Sequence, residues 1–227
     1  MVAPGCKLIC TLFFARDVYG ISVMTACVAG NSYGIHAAHS LPTDFIDQEF
    51  KDIADDFKVG ACKTGMLADS ELIRNVVKNY NQYDFGPMVV DPVIMTKHGN
   101  MLLEEAAFET MRTELIPLAT VLTPNFYETQ KLAEMPLKSD DDLVKAAHKL
   151  QDLGAKNVIA KGYHQDENQR EVRDYVLLES GDGFWLTEPI TILIASMVPA
   201  IHSQPALRLN WRRARPLKKP SEQRNGL

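Results

Sequence analysis

Short apolar runs alternate along this chain with longer stretches that have helical periodicity. The clearest runs are GACKTGML, GPMVVDPVIM, ATVLTPN and KNVIAKGYH. Between them lie stretches of about ten to fifteen residues, such as SELIRNVVKNYNQY, whose apolar residues recur at helical spacing. The alternation predicts βαβ units, because a helix returns the chain to a parallel neighbouring strand. We therefore predict an α/β fold with three αβα layers and a mostly parallel central sheet.

Other patterns complete this prediction. YGISVMTACVAGN is predicted to form a buried strand that ends at Gly30-Asn31, and IHAAHSLP a second short strand. Helices are predicted over TDFIDQEFKDIADDF, with its N-cap at Thr43-Asp44, and over LLEEAAFETMRTELI. Asp69 or Ser70 is the expected cap of the helix after GACKTGML, and Gly154 is a helix stop signal. RDYVLLESGDGFWLTEP is predicted to form a hairpin that turns at SGDG.

Composition narrows the class of protein. With 227 residues, 46% hydrophobic and 23% charged, the chain is predicted to form one domain with a sizeable core. The net charge of −5 is uneven: before Ile190 the chain has 17 basic and 28 acidic residues, and this acidic part argues against general nucleic-acid binding. No run approaches the ~20 apolar residues of a membrane span. The four cysteines lack zinc-ligand spacing, which predicts reduced thiols and a cytoplasmic location.

Polar residues at the ends of the predicted strands are the candidates for chemistry, because ligands of open α/β sheets bind beyond the carboxyl ends of the strands. Asp91 follows one such run, where it could orient a magnesium-bound phosphate or serve as a turn acid. Asn125 and Glu128 share a face at the start of a helix. They could hold a hydrated Mg²⁺ or form a capping box, and spacing alone leaves both interpretations open.

Two further residues follow predicted strands. Lys161 is suited to a phosphate, with a solvated lysine as the alternative. Met66 could cover an aromatic ring, with an ordinary core methionine as the alternative. Neither GxGxxG nor GxxxxGK[ST] occurs, so Rossmann and P-loop folds lack their signatures.

Taken together, these motifs resemble the hydroxymethylpyrimidine/phosphomethylpyrimidine kinase family of the ribokinase superfamily. The resemblance runs from about Phe13 to about Pro189. It rests on VYGISVMTACVAGNSYG, KTGMLAD, VVDPVIMTKHGNMLL, LIPLATVLTPNFYE and VIAKGYH, which occur in the order typical of the family. As a set, TPNxxE, DPV and KTGML are specific, whereas each motif alone is weak.

The resemblance implies transfer of the γ-phosphoryl group of ATP to a pyrimidine alcohol, and then to the resulting monophosphate, in thiamine biosynthesis. It also implies Mg²⁺, small-molecule partners, no nucleic-acid or membrane partner, and a homodimer. By position, the implied site residues are Asn125, Glu128 and Lys161 for the nucleotide, Asp91 and Glu128 for the metal, and Gly30, Met66 and Val93 for the pyrimidine pocket.

One departure bears on the substrate. The family usually has Gln where this chain has Gly30, and related pyridoxal kinases have Met there. Because that Gln contacts the substrate ring, a pyridoxal-type or sugar kinase stays open as an alternative. A non-catalytic nucleotide-binding remnant is the alternative from another functional class.

Two family elements are missing from the chain as written. A glycine-rich start, GGAG followed by QADL, is expected before FFARDVYG, and a GTG[CD] loop is expected after the last strands. In such kinases, backbone N–H groups of that loop neutralise charge on the transferring phosphoryl group, and its last residue activates the hydroxyl. We therefore assign no catalytic residue and expect little or no turnover from this chain.

A one-nucleotide shift in reading frame would account for both omissions. Codons permitted by the sequence from Ser196 onward give INGTGDTFSACITAELAKG in the shifted frame, and those from Val2 to Cys10 give GGAGLQADL. Some steps are forced: the Met197 codon ends in G, so Val198 must yield a hidden Gly. We hypothesise that both ends are frameshifted.

The predicted organisation follows from this hypothesis. Residues 1–12 form an aberrant N-terminal segment, residues 13–190 a partial ribokinase-like kinase domain, and residues 191–227 an aberrant basic tail. From Ile190 onward the chain has seven Lys or Arg residues, one acidic residue and four prolines, which predicts disorder. The alternative is a genuine basic tail that binds an acidic partner.

Overall fold

The computed structural model describes residues 10–31, 34–94, 103–163 and 171–189. Residues 10–14 are helical. The strands are β1 Ala26–Asn31, β2 Gly34–Ser40, β3 Cys62–Thr64, β4 Met88–Val90, β5 Val121–Leu122, β6 Asn157–Ala160, β7 Glu171–Leu177 and β8 Gly183–Pro189. The helices are α1 Thr43–Asp56, α2 Ser70–Gln82, α3 Glu105–Thr110, α4 Phe126–Ala133 and α5 Asp140–Asp152. Helix α3 continues as a π-helical turn, Met111–Leu115, and a 3₁₀ turn, Ile116–Leu118.

The central sheet has six strands in the order β3-β4-β5-β6-β7-β8. Strands β3 to β6 are parallel to one another, with helices in the connections, so the prediction of a mostly parallel α/β sheet is confirmed. Strands β7 and β8 are antiparallel and form the predicted hairpin. Gly181 adopts φ +87° in its turn, a conformation that glycine reaches without steric cost.

Strands β1 and β2 form a separate antiparallel ribbon, with Cys27 opposite His39 and Gly30 opposite Ile35. The prediction that the first apolar run is a buried strand is therefore wrong in two respects. The strand covers only Ala26–Asn31 of the run, and Cys27 and Ala29 are exposed. The length of an apolar run does not indicate which strands will pair with it. In a two-stranded ribbon, residues that a central strand would bury remain exposed to solvent.

Several helix boundaries follow the sequence signals. Asp69 caps α2 by accepting the Leu72 N–H at 2.9 Å, as predicted. Gly154, with φ +108°, lies just beyond α5. The N-cap of α1 lies one residue earlier than predicted. Pro42 holds the N-cap position, and Thr43 and Asp44 lie within the first turn. A negative charge in the first turn is still favourable there, since the helix N-terminus is partially positive.

The hydrophobic core lies between the helices and the parallel strands. Its fully buried side chains include Ile73 of α2, Met88 of β4, Leu122 of β5 and Leu150 of α5. No helix within the described ranges is both long and apolar enough to cross a membrane. The predicted N-terminal segment and basic tail fall almost wholly outside the described residues, so the predictions made for them stay predictions.

Candidate active site

Charged side chains meet beyond the carboxyl ends of the parallel strands. Asp91 directly follows β4, and Lys161 directly follows β6. The Lys161 Nζ lies 3.9 Å from the Asp91 Oδ1, and the two side chains are only 7% and 19% exposed. The alternative of a solvated lysine at position 161 is therefore wrong. A buried ammonium needs a nearby negative charge, and Asp91 supplies one.

Asn125 and Glu128 form a capping box at the start of α4. The Asn125 side-chain oxygen accepts the N–H groups of Tyr127 and Glu128 at 2.9 and 3.0 Å. In return, the Glu128 Oε2 accepts the Asn125 N–H at 2.7 Å. The capping-box interpretation is thus confirmed. It leaves the site interpretation open, because each carboxylate oxygen can accept more than one bond.

Glu128 is turned into the protein rather than toward solvent. The residue is 2% exposed, and its Oε1 accepts the Ile94 N–H at 3.1 Å. Burial raises the pKa of Glu128 to about 7, and the Asp91 charge adds to the increase. The bonds from the Asn125 and Ile94 N–H groups and the charge of Lys161 oppose it. Glu128 is therefore electrostatically part of the same group as Asp91 and Lys161.

Lys63 of β3 also belongs to this group, although the sequence patterns assigned it no role in the site. Its Nζ donates to the Asp91 Oδ2 at 3.0 Å and to the Thr64 carbonyl at 3.1 Å. The parallel register places Lys63 beside Val89, two residues before Asp91. The available signal was its position, since Lys63 lies near the carboxyl end of a predicted strand, where polar residues of the site are expected. We call Lys63, Asp91, Glu128 and Lys161 the strand-end cluster.

Main-chain bonds fix the edge of the sheet around the cluster. The Lys161 N–H donates to the Pro124 carbonyl at 3.0 Å, which ties the end of β6 to the loop before α4. The next amide, that of Gly162, donates to the Asp174 Oδ1 at 3.0 Å. Asp174 is buried in β7, and no sequence signal separated it from the other residues of the predicted hairpin.

The predicted substrate-side residues lie near the same edge or in the ribbon. Met66, in the loop after β3, is 42% exposed, so the alternative of a core methionine is wrong. Val93 is half-buried, and its N–H donates to the Asp91 carbonyl at 2.9 Å. Gly30 lies in β1 of the ribbon. Within the described residues, no hydrogen bond joins Gly30 to the loops that carry Met66 and Val93.

The donor chemistry of the cluster fits a hydrated magnesium ion. Mg²⁺ prefers oxygen ligands, keeps several waters, and binds through one or two carboxylates plus substrate phosphates. Asp91 and Glu128 supply two carboxylates that interact electrostatically. Within the described ranges, no three His, Cys, Asp or Glu residues form a metal cage. The arrangement suits a metal that arrives with its phosphate ligands.

A parallel sheet with lysines and carboxylates at its strand ends is suited to binding phosphate and metal, and comparison with known proteins identifies an α/β phosphotransferase family. A family model described as phosphomethylpyrimidine kinase matches residues 11–192. The Haemophilus influenzae hydroxymethylpyrimidine/phosphomethylpyrimidine kinase is 38% identical over 178 residues, which cover 78% of this chain and 66% of that protein. The chain belongs to the phosphomethylpyrimidine kinase family. It spans just under two thirds of that relative's length.

Solved structures show the same fold. A crystal structure of phosphomethylpyrimidine kinase from Clostridium difficile matches with a TM-score of 0.71 at 30% identity, covering 79% of this chain and 75% of that one. A Staphylococcus aureus pyridoxal kinase in complex with AMP-PCP and pyridoxal matches with a TM-score of 0.67 at 30% identity, covering 78% and 63%. The predicted ribokinase-like fold is therefore confirmed.

Proposed function

We propose that this chain derives from an enzyme that phosphorylates hydroxymethylpyrimidine and its monophosphate with ATP, in thiamine biosynthesis. The observation that carries the proposal is the strand-end cluster, in which a buried lysine and two carboxylates meet beyond the parallel strands. The family match and the kinase named in the Haemophilus influenzae relative support the same chemistry.

Each residue has a role in the proposal. Lys161 pairs with a phosphate of ATP, since its ammonium is held near the edge of the sheet and lies beyond hydrogen-bond distance of Asp91. Asp91 and Glu128 orient a hydrated Mg²⁺, which neutralises charge on the phosphates when bound. Asn125 caps α4 and thereby sets the position of Glu128. Met66, Val93 and Gly30 contribute to the pyrimidine pocket in this proposal, as the family resemblance implies.

The remaining expectations belong to the proposal as well. The partners are the pyrimidine alcohol and ATP, with no nucleic acid or membrane, in a cytoplasmic homodimer. The chain as written has no GTG[CD] loop, so no group is assigned to take the hydroxyl proton. We expect Mg·ATP binding with little phosphoryl transfer, as in a nucleotide-binding remnant.

Calorimetric titration with Mg·ATP tests the nucleotide site. The unaltered chain should bind, and Lys161→Met should weaken binding about tenfold or more, because a charge-assisted contact is lost. Lys145→Met is the matched control, since Lys145 is an exposed lysine of α5 whose Nζ is 3.8 Å from Asp142. Equal losses in both variants, or no binding by the unaltered chain, would refute the proposed site.

A pyridoxal-type vitamin kinase is the second candidate. The observation that favours it is the structural match to the pyridoxal kinase of Staphylococcus aureus. Gly30 matches neither the Gln usual in the family nor the Met of pyridoxal kinases, so it does not decide between the two candidates. Competition separates the two candidates. In a chain with both frames restored, hydroxymethylpyrimidine should suppress the phosphorylation of pyridoxal at equal concentrations. The reverse order of preference would assign the pyridoxal role.

A further inference from the structure

The carboxylate of Asp91 lies between two ammonium groups. Lys63 contacts its Oδ2 at 3.0 Å, and Lys161 approaches its Oδ1 at 3.9 Å. The two lysines are unequal partners, because only the shorter distance is that of a hydrogen bond. Lys63 therefore fixes the carboxylate, while Lys161 interacts with it through space.

The placement of Lys63 is built into the sheet. Thr64, the next residue, pairs with Val90, and the Thr64 carbonyl lies 3.4 Å from the Asp91 amide nitrogen. Lys63 also donates to that same carbonyl at 3.1 Å, and its side chain is only 13% exposed. The ammonium is thus held by one backbone oxygen and one carboxylate oxygen. A mostly buried lysine held in this way contributes a fixed positive charge to the cluster.

The charges of the cluster balance when Glu128 is ionised, with two lysines facing two carboxylates. Without Lys63, Asp91 would have Lys161 as its nearest cation, and that lysine would be drawn toward hydrogen-bond distance of the carboxylate. An ammonium that is paired with Asp91 is less available to a phosphate. Lys63 therefore keeps Asp91 satisfied and leaves Lys161 able to pair with the nucleotide.

We propose that Lys63 is a positioning residue, which holds Asp91 and reserves Lys161 for the nucleotide phosphates. The inference rests on the proposed function and deepens it. It assigns Lys63 no contact with substrate, since its effect passes through the Asp91 carboxylate.

The test measures metal and nucleotide binding separately, without turnover. Removing the positive charge in Lys63→Met should weaken metal-free ATP binding about fivefold or more, and should tighten Mn²⁺ binding in the absence of nucleotide by a similar factor. Calorimetry with EDTA present measures the first, and electron paramagnetic resonance of free Mn²⁺ measures the second. A variant that only disturbed the local structure would bind both ATP and Mn²⁺ more weakly. Changes of opposite sign in the two affinities therefore identify the positioning role.

Two variants serve as controls. Lys63→Arg keeps the charge and should bind ATP within about twofold of the unaltered chain. Lys78→Met removes a lysine of α2 that pairs with Asp47 at 2.6 Å outside the cluster, and should change neither affinity. Should Lys63→Met fail to fold, Lys63→Gln takes its place, because the amide can still donate to the Thr64 carbonyl.

The outcomes separate this inference from the proposed function. An unaltered chain that binds no ATP refutes the proposed function itself. An unaltered chain that binds ATP, with Lys63→Met unchanged or weakened toward both ligands, refutes only the role of Lys63. Opposite changes toward ATP and Mn²⁺ support both.

Discussion

Glu128 keeps a titratable carboxyl inside the protein, and this should make stability depend on pH. Its pKa is about 7 in the folded chain, compared with 4.5 as the ordinary value. Between those values the folded state binds more protons than the unfolded state, so the free energy of unfolding should fall as pH rises through this window. At about 1.4 kcal/mol per pKa unit, the decrease is about 3 kcal/mol, and it is complete above the folded pKa.

Urea denaturation from pH 4.5 to 8, with EDTA present, checks this prediction. Glu128→Gln is the comparison, because its amide does not titrate. The stability difference between the two chains should change steadily across the window, with the unaltered chain relatively more stable at the acidic end. A difference that is the same at every pH would contradict the prediction.

Gly162 lies where a side chain has no room. A Cβ at this position would collide with the carbonyl oxygen of Arg173 in β7. We predict that Gly162→Ala destabilises the chain by about 2–3 kcal/mol, as overpacked positions do. Gly60→Ala is the control, since a Cβ there meets no atom within 4 Å and should cost less than about 1 kcal/mol. Thermal unfolding compares them, and equal midpoints would contradict the prediction.

At the residue scale, sequence patterns identified most of the cluster. Asp91 and Lys161 were predictable because each follows an apolar run, and parallel strands bring such positions to one edge. Glu128 was predictable from its spacing to Asn125 at the start of a helix. The strand-end position of Lys63 was recognisable, but its partner was not, because only the register with β4 shows that it reaches Asp91. The contact of Asp174 with Gly162 could be recognised only from the antiparallel pairing of β7 with β6, which no local pattern indicates.

At the scale of elements, the N-terminus of α4 stabilises the helix and is also proposed to take part in nucleotide binding. Asn125→Ala removes an acceptor for two N–H groups and should cost about 1 kcal/mol of stability. Asn125→Asp keeps the acceptor and should retain most of that stability. The added negative charge near Asp91 and Glu128 should nevertheless weaken metal-free ATP binding about fivefold.

Ser139→Ala provides the matched control for this prediction. Ser139 caps α5 by accepting the Asp142 N–H at 3.2 Å, so its loss should lower stability and leave ATP affinity unchanged. Chemical denaturation and calorimetry measure the two properties separately. If Asn125→Asp bound ATP as well as the unaltered chain, the nucleotide role of this helix start would be wrong.

Elements were predictable where local chemistry decides them. Asp69 caps α2, Ser139 caps α5, and α5 ends before Gly154, because caps and glycines act within a turn. The π-helical turn after α3 and the ribbon partnership of β1 were not predictable in this way. Both depend on what packs or pairs against the segment, and hydrophobic periodicity does not carry that information.

At the scale of the whole molecule, the reading-frame hypothesis makes a direct prediction. A second determination of the gene sequence should give an uninterrupted frame that encodes GGAGLQADL near the start and INGTGDTFSACITAELAKG after residue 195. Intact mass measurement of the native product is the independent check. An uninterrupted gene that encodes the 227-residue chain as written would refute the hypothesis.

The same hypothesis predicts a gain of activity. Restoring both frames should raise phosphoryl transfer to hydroxymethylpyrimidine at least about 100-fold, because a single oxyanion-hole donor is worth 10²–10³ in kcat. Removing residues 191–227 from the chain as written is the control, and it should not create activity. Equal turnover by the restored and unrestored chains would show that the GTG[CD] loop is not what the chain lacks.

The bond from the Lys161 N–H to the Pro124 carbonyl has a consequence for how a ligand is received. It joins the end of β6, where Lys161 lies, to the loop before α4, so these two parts of the edge are assembled before anything binds. If the proposed function holds, a triphosphate that binds here would meet a preorganised edge of the sheet, and little conformational entropy of the protein would be lost on binding. Recognition here should depend on desolvation and charge pairing rather than on induced fit.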